Sequence, residues 1–262
     1  MKCFAKINLT LDILGKRSDG YHEIKTVYQS IALHDFVEVE KHDNIILQCS
    51  INALQNKNNL AYKAADFLKR KFNISKGAKI TITKNIPIGA GLSGGSSNAA
   101  AVLKELNKMW GLHLSEDDLM DIGKELGMDV AFHILGGTCL GTRRGEIVKK
   151  LPHLAKYYVV VVYPGFSKKT KDAYAKLDYE NIGKAKSTDK FLKNYDLRFL
   201  HNDFEGSAFQ VHPKLVGIKE KLGPFSLLAG SGTSVFGLYE RKEDAEKQAA
   251  QVKNAIVTET WN

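Results

Sequence analysis

The 262-residue chain carries 38 lysines and arginines against 29 aspartates and glutamates, for a formal net charge of +9, and 44% of it is hydrophobic. This length and apolar content are enough for one large or two modest domains with a buried core. No apolar run is long enough to cross a membrane, and the first residues lack the apolar segment of a signal peptide. Three widely separated cysteines without metal-ligand spacing predict a reducing, cytoplasmic setting. The charge suits nucleotides, other anionic ligands and nucleic acid alike.

The first half of the chain predicts strands alternating with helices. Residues 36–40 and 45–51 form strand-like runs, and residues 60–72 place alanine and leucine side chains at helical spacing on one face. Ser115 and Asp118 resemble a capping box that opens a further helix, and Gly127 is well placed to end it.

Residues 87–101, with the sequence P-I-G-A-G-L-S-G-G-S-S-N-A-A-A, stand out from this pattern. Alternating apolar residues before them predict a strand that ends near Pro87, and the alanines after Ser97 predict a helix. Glycines between the two allow a tight loop that brings backbone amides close to a ligand. A helix N-terminus with consecutive amides and two hydroxyls favours negative charge. The segment is therefore interpreted as a phosphate-binding loop.

Other interpretations of this segment are weaker. A glycine-rich loop can serve only to turn the chain. A dinucleotide site would have the G-x-G-x-x-G order after the first strand, and a Walker loop would end in Gly-Lys-Ser/Thr; neither pattern is present.

The second half predicts another folding unit that begins near Pro152. Residues 157–163 are an apolar run of strand type, followed by three or more helical segments. Strands at 225–228 and 234–239, a helix at 243–252 and a strand at 255–260 complete the chain. Helices mixed with strands that return on each other predict an α+β arrangement with mixed or antiparallel sheets.

Several polar residues lie where a core would not need them. Lys6 and Asn8 share one face of an apolar strand, although a lysine there is usually just solvated. Tyr21 and His22 form a turn that suits a planar heterocycle, or simply a loop with a half-buried tyrosine. Asp129 follows a helix end and precedes an apolar segment, so it is either a structural cap or a functional base.

Six segments together resemble one family. They are A-K-I-N-L at 5–9, S-D-G-Y-H at 18–22, P-I-G-A-G-L-S-G-G-S-S-N-A at 87–99, G-M-D-V-A-F at 127–132, N-D-F-E at 202–205 and A-G-S-G-T-S-V-F at 229–236. The chain resembles the GHMP kinases, which phosphorylate galactose, homoserine, mevalonate and phosphomevalonate, over nearly its whole length. The loop and the last turn mark the whole family. The first two segments resemble the branch that acts on a cytidine-diphosphate-linked methylerythritol.

The resemblance assigns catalytic and ATP-binding roles. It implies that Asp129 takes the proton from the acceptor's tertiary C2 hydroxyl, and that Lys6 lies against Asp129 and keeps the carboxylate ionised. The hydroxyl would then attack the γ-phosphoryl group of ATP in line. The resemblance assigns the ATP phosphates to Pro87, Ile88, Gly89, Ala90, Gly91, Leu92, Ser93, Gly94, Gly95, Ser96 and Ser97.

The resemblance also assigns the acceptor site. Asn8 would contact the acceptor near the catalytic lysine, His22 would bind the cytosine edge, and Tyr21 would contribute to the stacking environment. Tyr174 in K-D-A-Y is the best counterpart of an aromatic residue on the far side of the cytosine. Mg²⁺ would accompany ATP. The sequence does not identify its ligands, although the hydroxyl of Ser96 or Ser97 could be one of them.

The fold that the resemblance implies has two α+β domains, residues 1–151 with the phosphate loop and a ferredoxin-like domain at 152–262, with the active site in the cleft between them. Small-molecule substrates are the expected partners, without nucleic acid or membrane, for a monomer or weak homodimer. The sequence departs from the family at Ala131, often proline, and at Ser93, often glycine. A homoserine or mevalonate kinase remains the alternative enzyme, and a basic nucleic-acid-binding module the alternative without catalysis.

Overall fold

The computed structural model describes residues 1–166, 173, 174, 177, 182 and 186–262. By their internal contacts, these residues form two compact units that alternate along the chain. The first unit contains Met1–Ala5, Leu33–Ile86 and Ser93–Gly136, and the second contains Lys6–Ala32, Pro87–Leu92 and Gly137–Asn262. A single division after residue 151 does not reproduce these alternating units, and it stays a prediction.

The described residues contain eleven strands and eight α-helices. Up to residue 135 they are β1 (Lys2–Lys16), β2 (His22–His42), β3 (Ile46–Cys49), α1 (Leu60–Lys71), β4 (Gly77–Thr83), α2 (Gly94–Met109), α3 (Glu116–Leu126) and α4 (Val130–Leu135). Beyond it they are β5 (Thr138–Arg143), β6 (Ile147–Lys150), β7 (Tyr158–Val162), α5 (Ser187–Asn194), β8 (His201–Asn202), α6 (Phe204–Val211), α7 (Lys214–Leu222), β9 (Ser226–Leu228), β10 (Val235–Tyr239), α8 (Lys242–Ala249) and β11 (Ala255–Glu259).

The first unit packs helices against a short mixed sheet. The second half of β2 pairs antiparallel with β4, and β4 pairs parallel with β3. Buried alanines and leucines of α1 and α2 form one core with the apolar side chains of this sheet. The small alanine side chains let these two helices lie close together. This packing explains why the start of α2 is rich in alanine. Ser115 and Asp118 form the predicted capping box of α3, and the helix ends at Gly127 as expected.

The second unit contains two groups of strands. In the first group, β2 lies beside β1, which pairs parallel with β8, while β5 pairs antiparallel with β2 and β6 with β5. In the second group, the order β11-β7-β10-β9 is antiparallel throughout. Counted along the chain this order is 4-1-3-2, and the elements of this sheet follow as β-α-β-β-α-β. The described part of the first crossover contains three helices and the short strand β8. This is the ferredoxin-like arrangement that the resemblance implied.

Two expectations about local structure need correction. Gly94 and Gly95, in the second half of the loop, are helical and form the first residues of α2, so the helix begins earlier than the run of alanines suggested. The strand expected at 36–40 is only a part of β2, which has 21 residues. Its burial alternates over only part of its length, and this weakens the two-residue period on which strand prediction depends. Within the described residues, no helix is both long and apolar enough to span a membrane.

Candidate active site

The phosphate loop has a backbone that requires residues without bulky side chains. Gly89 and Gly91 have φ angles of +64° and +81°, in the left-handed region that glycine tolerates. A Cβ atom on Gly91 would lie 1.9 Å from the carbonyl oxygen of Ala229, so no side chain fits there. The second glycine turn, residues 229–232, thus packs its backbone directly on the backbone of the loop.

The first half of the loop, residues 87–92, is held by hydrogen bonds within the second unit. The amide of Lys6 in β1 donates to the carbonyl oxygen of Leu92 at 3.1 Å, and the amide of Ser234 donates to that of Ala90 at 3.1 Å. Ala90 and Leu92 are buried, whereas Ile88 is 44% exposed. The loop is therefore anchored at its buried residues and presents its tip to solvent.

The second half of the loop begins α2 in the first unit. A Cβ atom on Gly95 would meet only the Leu60 side chain, at 3.9 Å, so the helix N-terminus is open at this residue. Ser93 precedes the helix with a φ of +59°, and its hydroxyl is buried with no hydrogen-bond partner in the described part of the chain. Free helix amides and an unpaired hydroxyl are groups that a phosphate oxygen satisfies.

Asp129 is two residues after Gly127, which packs against the N-terminal turn of α2. The Ser96 hydroxyl is 3.9 Å from the position that a Cβ on Gly127 would take. Asp129 itself is partly buried, and its side chain makes no capping hydrogen bond to α4, which it precedes. The choice between a structural cap and a functional base stays a prediction.

Lys6 and Asn8 form the start of a buried polar chain in the second unit. The Lys6 ammonium donates to Asn8 Oδ1 at 2.7 Å, and Asn8 Nδ2 donates to the Thr26 hydroxyl at 2.8 Å. Lys6 is only 4% exposed, so it is not the solvated lysine that the sequence left open. A buried charge is costly unless it is hydrogen-bonded.

Two further groups surround the Lys6 ammonium. It lies 5.5 Å from the centre of the Tyr28 ring, within the range of a cation–π contact. A Cβ atom on Gly230 would lie 3.2 Å from it, so the second glycine turn also borders this lysine. The first half of the loop, the second glycine turn and Lys6 thus contact one another within the second unit.

His22 and Tyr174 are stacked on each other, with ring centres 4.3 Å apart and planes 16° from parallel. His22 is 8% exposed, and its pKa is lowered, first by burial and second by the charge of Lys16. The imidazole is therefore neutral at neutral pH. The two predicted acceptor-site residues are brought together, but in direct contact. A base can lie between them only if Tyr174 moves away from His22.

Tyr21 is half exposed, at 50%, and carries the guanidinium of Arg144 at 5.0 Å from its ring centre. Arg144 also donates to Glu146 at 3.0 Å. This arginine was not expected from the sequence, because it comes from the distant β5–β6 turn.

The N-D-F-E segment also has contacts that the sequence did not reveal. Asn202 Nδ2 donates to the carbonyl oxygens of Leu228 and Gly230, at 2.8 and 2.7 Å. Glu205 accepts from the amide of Leu228 at 2.9 Å. The segment therefore holds the second glycine turn, which in turn supports the loop. The sequence motif marked this segment, but it did not predict that the segment binds residues 228–230.

The site residues are divided between the units. Lys6 belongs to the second unit and Asp129 to the first. Their pairing stays a prediction.

The comparisons with known proteins agree with this geometry. Residues 59–137 match the family "GHMP kinases N terminal domain". The 4-diphosphocytidyl-2-C-methyl-D-erythritol kinase of Caldicellulosiruptor saccharolyticus is 40% identical over 267 residues, covering 97% of this chain and 92% of that protein. The chain belongs to this kinase family.

Solved structures confirm the fold. A crystal structure of 4-(cytidine 5'-diphospho)-2C-methyl-D-erythritol kinase matches with a TM-score of 0.86 and 30% identity, covering 100% of this chain and 99% of that one. The homoserine kinase of Cytophaga hutchinsonii matches with a TM-score of 0.74 at 19% identity, covering 100% and 95%, which is a likeness of fold alone. The chain is therefore a kinase with the GHMP fold.

Proposed function

We propose that this kinase transfers the γ-phosphoryl group of ATP to the C2 hydroxyl of 4-diphosphocytidyl-2-C-methyl-D-erythritol. The observation that carries the choice of acceptor is the buried, neutral imidazole of His22 stacked on an aromatic ring. Such a pair suits a planar base, and neither mevalonate nor homoserine contains one. The relatives that share about 40% of this sequence bear the name of this cytidylyl substrate.

The donor site is the phosphate loop. The amides at the start of α2, the Ser93 hydroxyl and the positive end of the helix favour the ATP phosphates. Mg²⁺ brought with ATP supplies positive charge that offsets the charge of the phosphates. Ser96 fits as a hydroxyl ligand of Mg²⁺ because its side chain is partly exposed, whereas Ser97 is buried, with 4% exposed.

The chemistry is proton removal followed by in-line displacement. Asp129 takes the proton of the C2 hydroxyl, the hydroxyl oxygen forms the bond to the γ-phosphorus, and the bond to the β-phosphate oxygen breaks to release ADP. Lys6 supplies positive charge that favours ionised Asp129 and orients the acceptor. Most of the rate enhancement comes from positioning and charge neutralisation.

The acceptor site is formed by residues of the second unit. His22 hydrogen-bonds the edge of the cytosine. Tyr21, whose ring is covered by the Arg144 guanidinium, contributes to the stacking environment of the cytosine ring. Tyr174 stacks on the face of the base after its ring has separated from His22, which covers that ring in this structure. Asn8, fixed by Thr26, presents its amide near Lys6.

A direct comparison of acceptors tests the proposal. Release of ADP is followed with Mg²⁺ and ATP and, in separate reactions, the cytidylyl methylerythritol, mevalonate and homoserine. Turnover should be confined to the cytidylyl acceptor, with phosphorus NMR placing the new phosphate on C2. No ADP release with this acceptor, or equal rates with homoserine, would overturn the assignment. Gel filtration and a salt-dependent RNA-binding assay check the expected monomer or weak dimer and the absence of nucleic-acid binding.

The His22→Ala variant isolates base recognition. We expect the KM of the cytidylyl acceptor to rise roughly tenfold or more, with the KM of ATP unchanged, because a buried hydrogen-bonding group on the base loses its partner. The exposed His153→Ala is the matched control. In the unchanged protein the acceptor KM should stay constant above about pH 7.5, since the lowered pKa keeps His22 neutral there. A change in this interval that disappears in His22→Ala would contradict this picture.

A further inference from the structure

Asp35, within β2, is a buried carboxylate with four hydrogen-bond donors around it. It is 0% exposed. Its Oδ1 accepts from the amides of Asn85 at 2.7 Å and Ile86 at 2.8 Å. Its Oδ2 accepts from Asn98 Nδ2 at 3.0 Å and from the ammonium of Lys84. One side chain thus satisfies donors from two segments, residues 84–86 and residue 98, that are far from Asp35 in sequence.

These donors lie at the two ends of the phosphate loop. Lys84, Asn85 and Ile86 lead into residue 87, and Asn98 follows residue 97 within the first turns of α2. Oδ1 therefore holds the entry of the loop and Oδ2 holds its exit. All of these residues belong to the first unit.

Lys84 adds charge at the same place. Its side chain is 5% exposed, and a Cβ atom on Gly94 would lie 2.9 Å from its ammonium nitrogen. The ammonium therefore packs against the first residue of α2. A buried ion pair of this kind is retained only when both charges are fully hydrogen-bonded.

We infer that Asp35 is a positioning residue for nucleotide binding. By clasping both ends of the loop, it sets the direction in which the amides of the loop and of the α2 N-terminus point. It touches neither substrate in this role and acts through Lys84, Asn98 and the two amides. The inference rests on the proposed function in one respect, that the loop binds ATP.

Two variants break the same contact from opposite sides. Asp35→Asn has the same shape and keeps an acceptor for the two amides, but its NH₂ group faces two donors, so the exit of the loop is released. Asn98→Leu releases the exit while leaving the Asp35–Lys84 pair intact. In both variants we expect the Kd of ATP, measured by calorimetry, to rise about tenfold or more, because small displacements of positioning groups are costly. The KM of the acceptor should not change.

The double variant Asp35→Asn with Lys84→Met separates positioning from stability. It removes the unpaired ammonium left by Asp35→Asn, so the unfolding temperature should recover toward that of the unchanged protein. The Kd of ATP should stay raised, because Asn98 is still released. If the ion pair had a purely structural role, both the unfolding temperature and the Kd of ATP would return toward the values of the unchanged protein.

Asp12→Asn is the matched control. Asp12 is 1% exposed and accepts from the amides of Ser187 and Thr188 at 3.2 and 2.8 Å, and all three residues belong to the second unit. This variant should lower the unfolding temperature and leave the Kd of ATP unchanged.

The outcomes are distinguishable. If Asp35→Asn and Asn98→Leu bind ATP as the unchanged protein does, the inference is overturned. Failure of the unchanged protein to bind ATP would overturn both the inference and the proposed function. If the unchanged protein binds ATP but does not phosphorylate the cytidylyl acceptor, only the proposed acceptor is lost, and the ATP affinities still decide the role of Asp35. Should Asp35→Asn fail to fold, Asn98→Leu alone gives the answer.

Discussion

Ser93 shows how one backbone angle affects both stability and binding. Its φ of +59° is unfavourable for any residue with a Cβ, at a cost of about 1–2 kcal/mol, and the family often has glycine nearby. The hydroxyl is buried without a partner among the described residues, which is itself costly.

The variants Ser93→Gly and Ser93→Ala separate these two effects. Ser93→Gly should raise the free energy of unfolding by about 0.5 kcal/mol, because the relief of strain exceeds the added chain entropy. Ser93→Ala keeps the strain and should not be stabilised. Both should weaken ATP binding about tenfold, since a hydrogen bond to a charged phosphate is lost. Urea unfolding and calorimetry are the measurements; unchanged ATP affinity in both variants would mean that the hydroxyl only fills space.

Asp129 makes the second prediction at the scale of single residues. Asp129→Asn should lower kcat by about 10²–10⁴-fold, because general base catalysis is lost, while the Kd of ATP stays the same. Asp121→Asn, an exposed aspartate of α3 paired with Lys124, is the control. Steady-state kinetics and calorimetry on both variants provide the comparison. An unaffected kcat would remove Asp129 from the mechanism.

At the scale of elements, the phosphate loop is held by segments that are remote in the chain. Its first half lies between β1 and the second glycine turn, and that turn depends on Asn202 in β8. The helix α2 supplies the second half, and β2 clasps both ends through Asp35. The loop therefore has little freedom of its own, which suits preorganised binding of phosphates.

The Asn202→Asp variant tests this dependence. A carboxylate cannot donate to the carbonyl oxygens of Leu228 and Gly230, so two buried acceptors lose their partner. We expect the free energy of unfolding to fall by about 2–3 kcal/mol, measured by urea denaturation. Asn254→Asp, at an exposed turn, should have almost no effect. Equal stability of the two variants would show that Asn202 does not hold the turn.

At the scale of the whole molecule, two histidines make stability depend on pH in opposite directions. Burial lowers the pKa of His22, so its contribution is present above its ordinary value of about 6.5 and decreases as the pH falls below that value. The hydrogen bond that the His201 imidazole donates to Asp203 Oδ1 raises the pKa of His201. Its contribution is fully present below about pH 6.5 and is lost as the pH rises through the raised pKa.

The His201→Gln variant checks this assignment. In the unchanged protein, the part of the stability that comes from His201 should decrease as the pH rises above about 6.5 and through the raised pKa. Glutamine still hydrogen-bonds to Asp203 but does not titrate, so this decrease should disappear. Free energies of unfolding from urea titrations at several pH values provide the measurement. The same decrease in both proteins would assign it to another group.

Much of the fold could be predicted because it depends on local patterns. The helix expected at 60–72 is α1 at Leu60–Lys71, and the capping box and Gly127 mark α3 as expected. Chain segments with nearly continuous burial were harder to predict. β1 is buried at almost every position from Ala5 to Asp12, so neither a two-residue nor a helical period marks its length.

By itself, the sequence determined the kind of protein: the phosphate loop, the family motifs and the α+β class follow from residue types at short spacings, where backbone preference acts locally. Only the tertiary structure decided how these parts are held. Asp35 lies 50 or more residues from the amides and the asparagine that it binds, and Asn202 lies 26 and 28 residues from its carbonyl partners. A buried polar group must find a partner, but no local rule selects which distant segment supplies it, because packing brings the two together.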